Sequence, residues 1–292
     1  MKKFTRAIIV SVGYLNFSPV VFSFVPIVST DFEKNVIFTR NNKLFRSSLS
    51  STSEYISSDD TSIVRPELPP IGDSIRRLFL VRHGEVINPG GDRPVYYGAM
   101  DVSLSSLGEA EAIAAARYLQ YYDLDFVVSS PLLRAIFGAE QIVALQKNLS
   151  NNEDEEGVVQ MDGFKELDRG AWCGMTKDEI GSAMQRFDAC DESATPENGE
   201  SYSYLKERVL EERDNVLERL PMGHAAAIVS HLQVTRSLLS DAMGIPTAEM
   251  AGLEIATASV TCIDYDLTGT QTVHFQSFKP DVGLTTSIDG AN

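Results

Sequence analysis

Three places in this chain set reactive side chains at the end of a short apolar run. Leu78–Val81 leads into Arg82, His83, Gly84 and Glu85. A second run, ending at Ser129, leads into Ser130 and Pro131, with Arg134 just beyond. The third, Ala225–Val229, leads into Ser230 and His231. Ligands of open α/β sheets bind outside the carboxyl ends of the strands, so these residues fall where a site is expected. If the three strands are neighbours, two arginines and two histidines share one pocket. Such a set suits a phosphate group. A metal cluster would need carboxylates or thiolates beside the histidines. Cys173, Cys190 and Cys262 lack metal-ligand spacing and read as free thiols. Gly84 is expected to let the backbone turn sharply and to leave room above His83.

Periodicity and capping define the elements that must hold these side chains. Leu78–Val81 is continuously apolar and reads as a short buried strand. Asn88–Asp101 is rich in glycine and proline and reads as a loop. A helix is predicted over Ser105–Tyr122, capped by Ser105 or Ser106. Asp125–Ser129 is a strand, followed by a helix to about Gln146 with Ser130 as its cap and Pro131 at its first position. The free N–H groups of that helix would join Arg134 in an anion site; taken alone, Arg134 is equally a solvated helix residue. Val158–Met161 reads as a short strand, and Glu166–Gly174 as a glycine-rich loop holding the single tryptophan, Trp172. One helix is predicted over Thr176–Ala189, opened by a capping box of Thr176 and Glu179. Further helices follow at Glu200–Leu220 and Leu232–Met243, around the strand Ala225–Val229. Ala256–Tyr265 and Gln271–Ser277 are the final strands. This alternation predicts an α/β fold, a three-layer α/β/α sandwich on a largely parallel sheet, spanning residues 71–278. Residues 279–292 read as a mobile tail, and His224 and His274 as structural.

The formal charge of −16 argues against a nucleic-acid partner, because phosphate backbones attract Lys and Arg. Residues 1–50 nevertheless carry seven basic and two acidic side chains, a net of +5 that leaves −21 for the remainder. Lys2, Lys3 and Arg6 precede a charge-free run from Ala7 to Thr30, the layout of a secretory signal. The run is long enough to span a bilayer, but Pro19 and Pro26 weaken it as a membrane helix. Ser47–Ser62 then holds eight serines in sixteen residues, which is transit-peptide composition. Residues 1–70 therefore read as a targeting presequence that ends in a stiff linker, Arg65–Ile71. The order resembles the bipartite presequences of algae with complex plastids, with VFSFVP at Val21–Pro26 as the cleavage region. A plastid is the expected destination, with the secretory pathway or the mitochondrion as alternatives. No stable membrane anchor is expected after processing. The sequence leaves the oligomeric state open.

Over Ile71–Ser277 the motifs resemble the histidine phosphatase superfamily, also called phosphoglycerate mutase-like. The Arg-His-Gly motif matches Arg82–Gly84. The resemblance implies that His83 is the phosphorylated nucleophile and that Arg82 binds phosphate. Ser-Pro-x-x-Arg matches Ser130, Pro131 and Arg134, implying a second phosphate-binding arginine. The later Ser-His matches Ser230 and His231, implying a second phosphate-contacting histidine. Glu-x-x-x-Gly-x-Trp-x-Gly matches Glu166, Gly170, Trp172 and Gly174, and implies Glu166 as proton donor. Gly-Glu-Ser matches Gly199, Glu200 and Ser201, which brings Glu200 in as a substrate contact. Asn88 stands in for the family's asparagine, one residue early.

The chain departs from the family at several positions. Leu232 and Gln233 replace the two glycines common after the second histidine, leaving a bulkier wall but a usable backbone N–H. Ala99 stands where an arginine is common, and Cys173 where a glutamate is. No Arg-His-Tyr-Gly segment of the mutase type is present. The implied activity is therefore the phosphatase branch: hydrolysis of a small phosphorylated metabolite through a phosphohistidine, with no cofactor or metal. The alternatives are phosphoglycerate mutase-type transfer and a relative that binds a phospho-ligand without turnover. A cysteine phosphatase needs an arginine six residues after the cysteine, and those positions hold Glu179, Pro196 and Thr268.

Overall fold

The computed structural model describes residues 39–40, 43–44, 65–149 and 157–282. The chain divides into two units, Met1–Asp59 and Asp60–Asn292. In the first, β1 (Thr39–Arg40) pairs antiparallel with β2 (Lys43–Leu44). The rest of the expected presequence through residue 64, with its cleavage region, lies outside the described residues, as does the tail from residue 283. Among the described residues no helix is long and apolar enough to cross a membrane.

The second unit is built on six strands: β3 (Ile75–Arg82), β4 (Phe126–Ser129), β5 (Val159–Gln160), β6 (Ala225–Ser230), β7 (Val260–Asp266) and β8 (Gln271–Phe278). Their order in the sheet is β5-β4-β6-β3-β7-β8. The pairs β5/β4, β4/β6 and β6/β3 are parallel, whereas β3/β7 and β7/β8 are antiparallel. Successive side chains of a strand point to opposite faces, so the unbroken run LFLV in β3 serves two cores. Leu78 and Leu80 pack with α5 (Tyr202–Arg219) and α6 (Leu232–Met243). Phe79 and Val81 pack with α1 (Ser106–Leu119) and α2 (Leu133–Leu145). Helices on both faces make the three layers that the alternation predicted.

Several boundaries differ from the periodicity. The helix expected over Thr176–Ala189 is two, α3 (Lys177–Ile180) and α4 (Ser182–Asp188), broken at Gly181 with φ +64°. The Thr176/Glu179 capping box is present at its start. The expected linker is partly structure: Leu68 and Ile71 pack on the α1/α2 core, and Arg77 Nη1 donates to the Pro69 carbonyl at 3.0 Å. The first residues of the expected tail are likewise part of the structure, since Lys279 bonds Glu111 and Thr257 and Pro280 is buried. Short polar segments bury too little apolar surface to register as periodicity, so these contacts were not legible.

At the start of α1, Gly108 lies against the chain just after His83. A Cβ on Gly84 would sit 2.1 Å from the Gly108 carbonyl oxygen, and one on Gly108 would sit 1.9 Å from that of Glu85. The contacting atoms are backbone and cannot move aside. Gly108→Ala is therefore expected to lower stability by roughly 1–3 kcal/mol and to displace the His83 loop. Urea denaturation paired with an activity assay checks this. A variant with unchanged midpoint and unchanged activity would show that the two backbones separate easily.

Candidate active site

Strand order brings the three motif ends together, because β4, β6 and β3 are adjacent. Arg82 is in register with Ser230, and Ser129 with Val229. The His83 N–H donates to the Ser230 carbonyl at 2.9 Å, and His83 Nδ1 lies 2.7 Å from the Gly84 carbonyl. A carbonyl can only accept, so Nδ1 carries the proton and the lone pair lies on Nε2. His83 is 4% exposed and lines a cavity of about 720 Å³. Burial first, then the charges of Arg134 and Arg82, holds its pKa well below the ordinary 6.5.

The His231 ring centroid is 5.2 Å from that of His83, and its Nε2 is 2.7 Å from Ser130 Oγ. Burial, then His83 and the two arginines, keeps His231 neutral as well. Its Nδ1 is buried with no partner among the described residues. Ser130 thus serves the histidine and is not the cap of α2, which opens at Leu133 with no side-chain cap from Leu132. The Leu133 N–H is met instead by Asp101 Oδ1 at 2.9 Å, from the loop ahead of α1.

Arg82 Nη1 donates to the Ile255 carbonyl at 2.5 Å. Arg134 is 1% exposed and ties down the loop before α1, donating to the carbonyls of Gly98 at 2.8 Å and Met100 at 2.7 Å. The Nε atoms of both arginines are buried and have no partner among the described residues. Burial disfavours both charges, and Glu166 works against that in each case. The Glu166 carboxylate lines the cavity. It accepts the Leu167 N–H at 2.8 Å and faces the Gln233 N–H, at the first turn of α6, at 3.3 and 3.4 Å. Of the two positions after the second histidine, Gln233 turns its N–H toward this carboxylate, while Leu232, the expected substrate contact, lines the cavity. Arg82, His83, Glu166, Asn88 and Leu232 line the cavity, while the fully buried Arg134 and His231 are not among its lining residues.

Two expected contacts lie elsewhere. Glu200 is buried against Arg208, with Oε1 2.5 Å from Nε and Oε2 2.8 Å from Nη2, and it also receives the Asp168 N–H at 3.3 Å. It braces the loop that carries Glu166 and does not line the cavity. Gly84 touches Gly108, so its small size serves the packing of α1 and not open space above His83. Asn88 reaches the cavity as a loop brace, its side chain bonding Val95 and Gly90. His224 pairs with Asp125, and His274 with Asp264, which also holds Arg77; these are structural contacts. The cysteines are free.

The cavity is also lined by residues that the motifs did not single out, among them Tyr97, Arg169 and Arg236, with Lys177, Asp178 and Asp188. Arg169 lies three residues after Glu166 in the same loop. Arg236 lies four after Leu232, on the same face of α6. Those spacings were available signals. Tyr97, beneath which Arg134 passes at 5.5 Å, had none.

Residues 78–277 match the family model of the histidine phosphatase superfamily, branch 1. The bifunctional protein Rv2228c of Mycobacterium tuberculosis is 30% identical over 201 residues, 68% of this chain and 52% of that protein, so the chain spans about half the length of that relative. Phosphoserine phosphatase 1 of Hydrogenobacter thermophilus is 29% identical over 64% of this chain and 85% of that protein. A protein of Salmonella arizonae described as a probable phosphoglycerate mutase, GpmB, is 28% identical over 65% and 85%. Among solved structures, YhfR of Bacillus stearothermophilus superposes with a TM-score of 0.60 at 25% identity, covering 70% of this chain and 97% of that one. The model match extends over more than half of the chain and takes in each of the three strand ends that meet at His83. The chain belongs to the histidine phosphatase superfamily, branch 1.

Proposed function

We propose that the protein hydrolyses small phosphomonoesters through a phosphohistidine on His83, without a metal ion. The observation that carries this reading is the state of His83: a neutral imidazole with its proton held on Nδ1 and two guanidinium groups beside it. Nε2 attacks phosphorus, and the bond from phosphorus to the ester oxygen breaks. Arg82, Arg134 and His231 stabilise the phosphoryl oxygens, supplying the charge that a divalent ion brings in other phosphoryl transfers. Glu166 enters this step as the carboxylic acid, protonates the departing alkoxide and is left as the carboxylate. Water then attacks the phosphohistidine, Glu166 takes its proton, and inorganic phosphate leaves. A relative named as a phosphatase supports hydrolysis. The relative described as a mutase makes isomerisation the second reading. Hydrolysis is favoured by Ala99, which removes a substrate anchor that a retained intermediate would need.

His83→Ala is expected to abolish turnover, and acid-labile phosphate on the wild-type protein should map to His83. Phosphate bound to a different residue would end this mechanism. With 3-phosphoglycerate and 2,3-bisphosphoglycerate supplied together, phosphate release should outpace isomer formation; the opposite ratio would install the mutase reading.

Activity should persist in a chelator and be blocked by vanadate, a mimic of five-coordinate phosphorus. Chelator-sensitive activity restored by magnesium would overturn the arginine-based account.

Nitrogen-15 spectra of the imidazoles should show His83 neutral and protonated on Nδ1 at pH 6. An unfolded chain takes up protons below 6.5 that buried His83 and His231 refuse, so these two groups lower stability as pH falls through that value. A His83 titration midpoint at its ordinary value would contradict the assigned state.

A further inference from the structure

Arg169 is a buried cation that the hydrolytic reading does not use. It is 6% exposed and lines the cavity, and its Nη1 is buried with no partner among the described residues. No carboxylate among the described residues forms a salt bridge with it. Aromatic groups hold it instead. Its guanidinium carbon is 4.9 Å from the Tyr96 ring centroid and 5.4 Å from that of Phe187. The Tyr202 hydroxyl, hydrogen-bonded to Arg169, donates to Asp188 at 3.1 Å. Gly98 leaves room for the side chain, since a Cβ there would come within 2.8 Å of Arg169 Cγ.

Such a group is costly to leave as it stands. A buried guanidinium donor without an acceptor carries its desolvation penalty, which ring faces offset in part. Arg236 adds a second cation to the same cavity wall, its Nε fixed on the Leu253 carbonyl at 2.7 Å. Burial and the nearby charge of Arg82 weigh against the Arg236 cation, while Glu166 and Asp188 partly offset them. Arg169 neighbours Tyr96, Phe187 and Tyr202, in the part of the cavity lining that also holds Met184 and Asp188. Met184, Leu232 and Ala251 add apolar surface to the same cavity.

We propose that Arg169, with Arg236, forms a second anion subsite, so that the preferred substrate is a phosphomonoester whose alcohol part ends in a carboxylate or a second phosphate. The planar fork of a guanidinium matches both groups. The methylenes between the two ends of the substrate would lie along the apolar wall. This rests on the phosphatase reading above, since the transferred phosphoryl group occupies the His83 end.

The test uses matched substrates of increasing length: ω-carboxyalkyl phosphates against ω-hydroxyalkyl phosphates, with the corresponding bisphosphates as a third series. At one chain length the full-length protein should favour an anionic ester over its hydroxyl counterpart by roughly 10- to 100-fold in kcat/KM, the yield of one charge-assisted hydrogen bond. Which anionic series gains tells carboxylate from phosphate. The preference should collapse toward unity in Arg169→Met and survive in part in Arg169→Lys. Taking the ratio within each variant cancels any general loss of activity, and the wild-type ratio stands even if the Met variant fails to fold. Hydrolysis of all three series with equal kcat/KM at every length would overturn the subsite and leave the phosphatase reading standing. An anionic preference unchanged in both variants would remove Arg169 from it. No hydrolysis of any ester would overturn both.

Discussion

Parallel register between β3 and β6 is the constraint on which the site depends. Six residue pairs run from Arg77 with Ala225 to Arg82 with Ser230, and the His83 N–H closes the ladder on the Ser230 carbonyl at 2.9 Å. Side chains alternate along a strand, so a slip of one residue would exchange the faces of every side chain. Leu78 and Leu80 would then face the α1/α2 core, and Arg82 would leave the side of the sheet that α6 covers. The apolar packing on both faces of β3 therefore holds Arg82 and His83 in register with Ser230 as well as holding the fold. Ser230 and His231 follow at the end of β6, and this is why two histidines from distant parts of the chain stand with ring centroids 5.2 Å apart.

That arrangement gathers positive charge in a place with little water to screen it. Arg82 and Arg134 are both disfavoured by burial, and both histidines answer by staying neutral. Protein carbonyls absorb part of the cost. Ile255 accepts from Arg82, and Gly98 and Met100 accept from Arg134. The same bonds fix the chain segments that wall the cavity, so Arg134 organises the loop before α1 even as its remaining Nε stays unpaired. Glu166 supplies the nearby negative charge, held by the N–H of Leu167 in its own loop and by that of Gln233 at the start of α6, where a helix favours an anion.

Support for the turn after His83 comes from α1, outside the cavity. Glu111 accepts the Glu85 N–H at 2.9 Å and binds Thr257 and Lys279. Ser105 caps α1 and bonds the Glu85 carboxylate. With Gly84 against Gly108, these contacts leave the turn after His83 little freedom. A cavity wall made from loops is thus attached to strand ends that the sheet and α1 hold in place.

The sequence by itself determined the α/β class, the buried β3, and the placing of Arg82, His83, Ser130, Arg134 and His231 at strand ends. Apolar runs, caps and short motifs are local, and local signals survive without a partner segment. The expectation that three strand ends meet needed a strand order, and tertiary structure supplied it as β4-β6-β3. Tertiary structure also decided which atom a side chain addresses. Ser130, read as the cap of α2, bonds His231 and accepts the Leu132 N–H, because α2 opens only at Leu133 and a buried imidazole at the adjacent strand end reaches the same hydroxyl. Glu200, read as a substrate contact, is taken by Arg208 eight residues on, and Gly84 by Gly108. The spacings of Arg169 from Glu166 and of Arg236 from Leu232 hint at the same wall, but not at what surrounds either side chain there. Whether an arginine is a solvated surface residue or a buried, unpaired cation depends on rings and carbonyls contributed from elsewhere in the chain, and one-dimensional spacing carries no record of them.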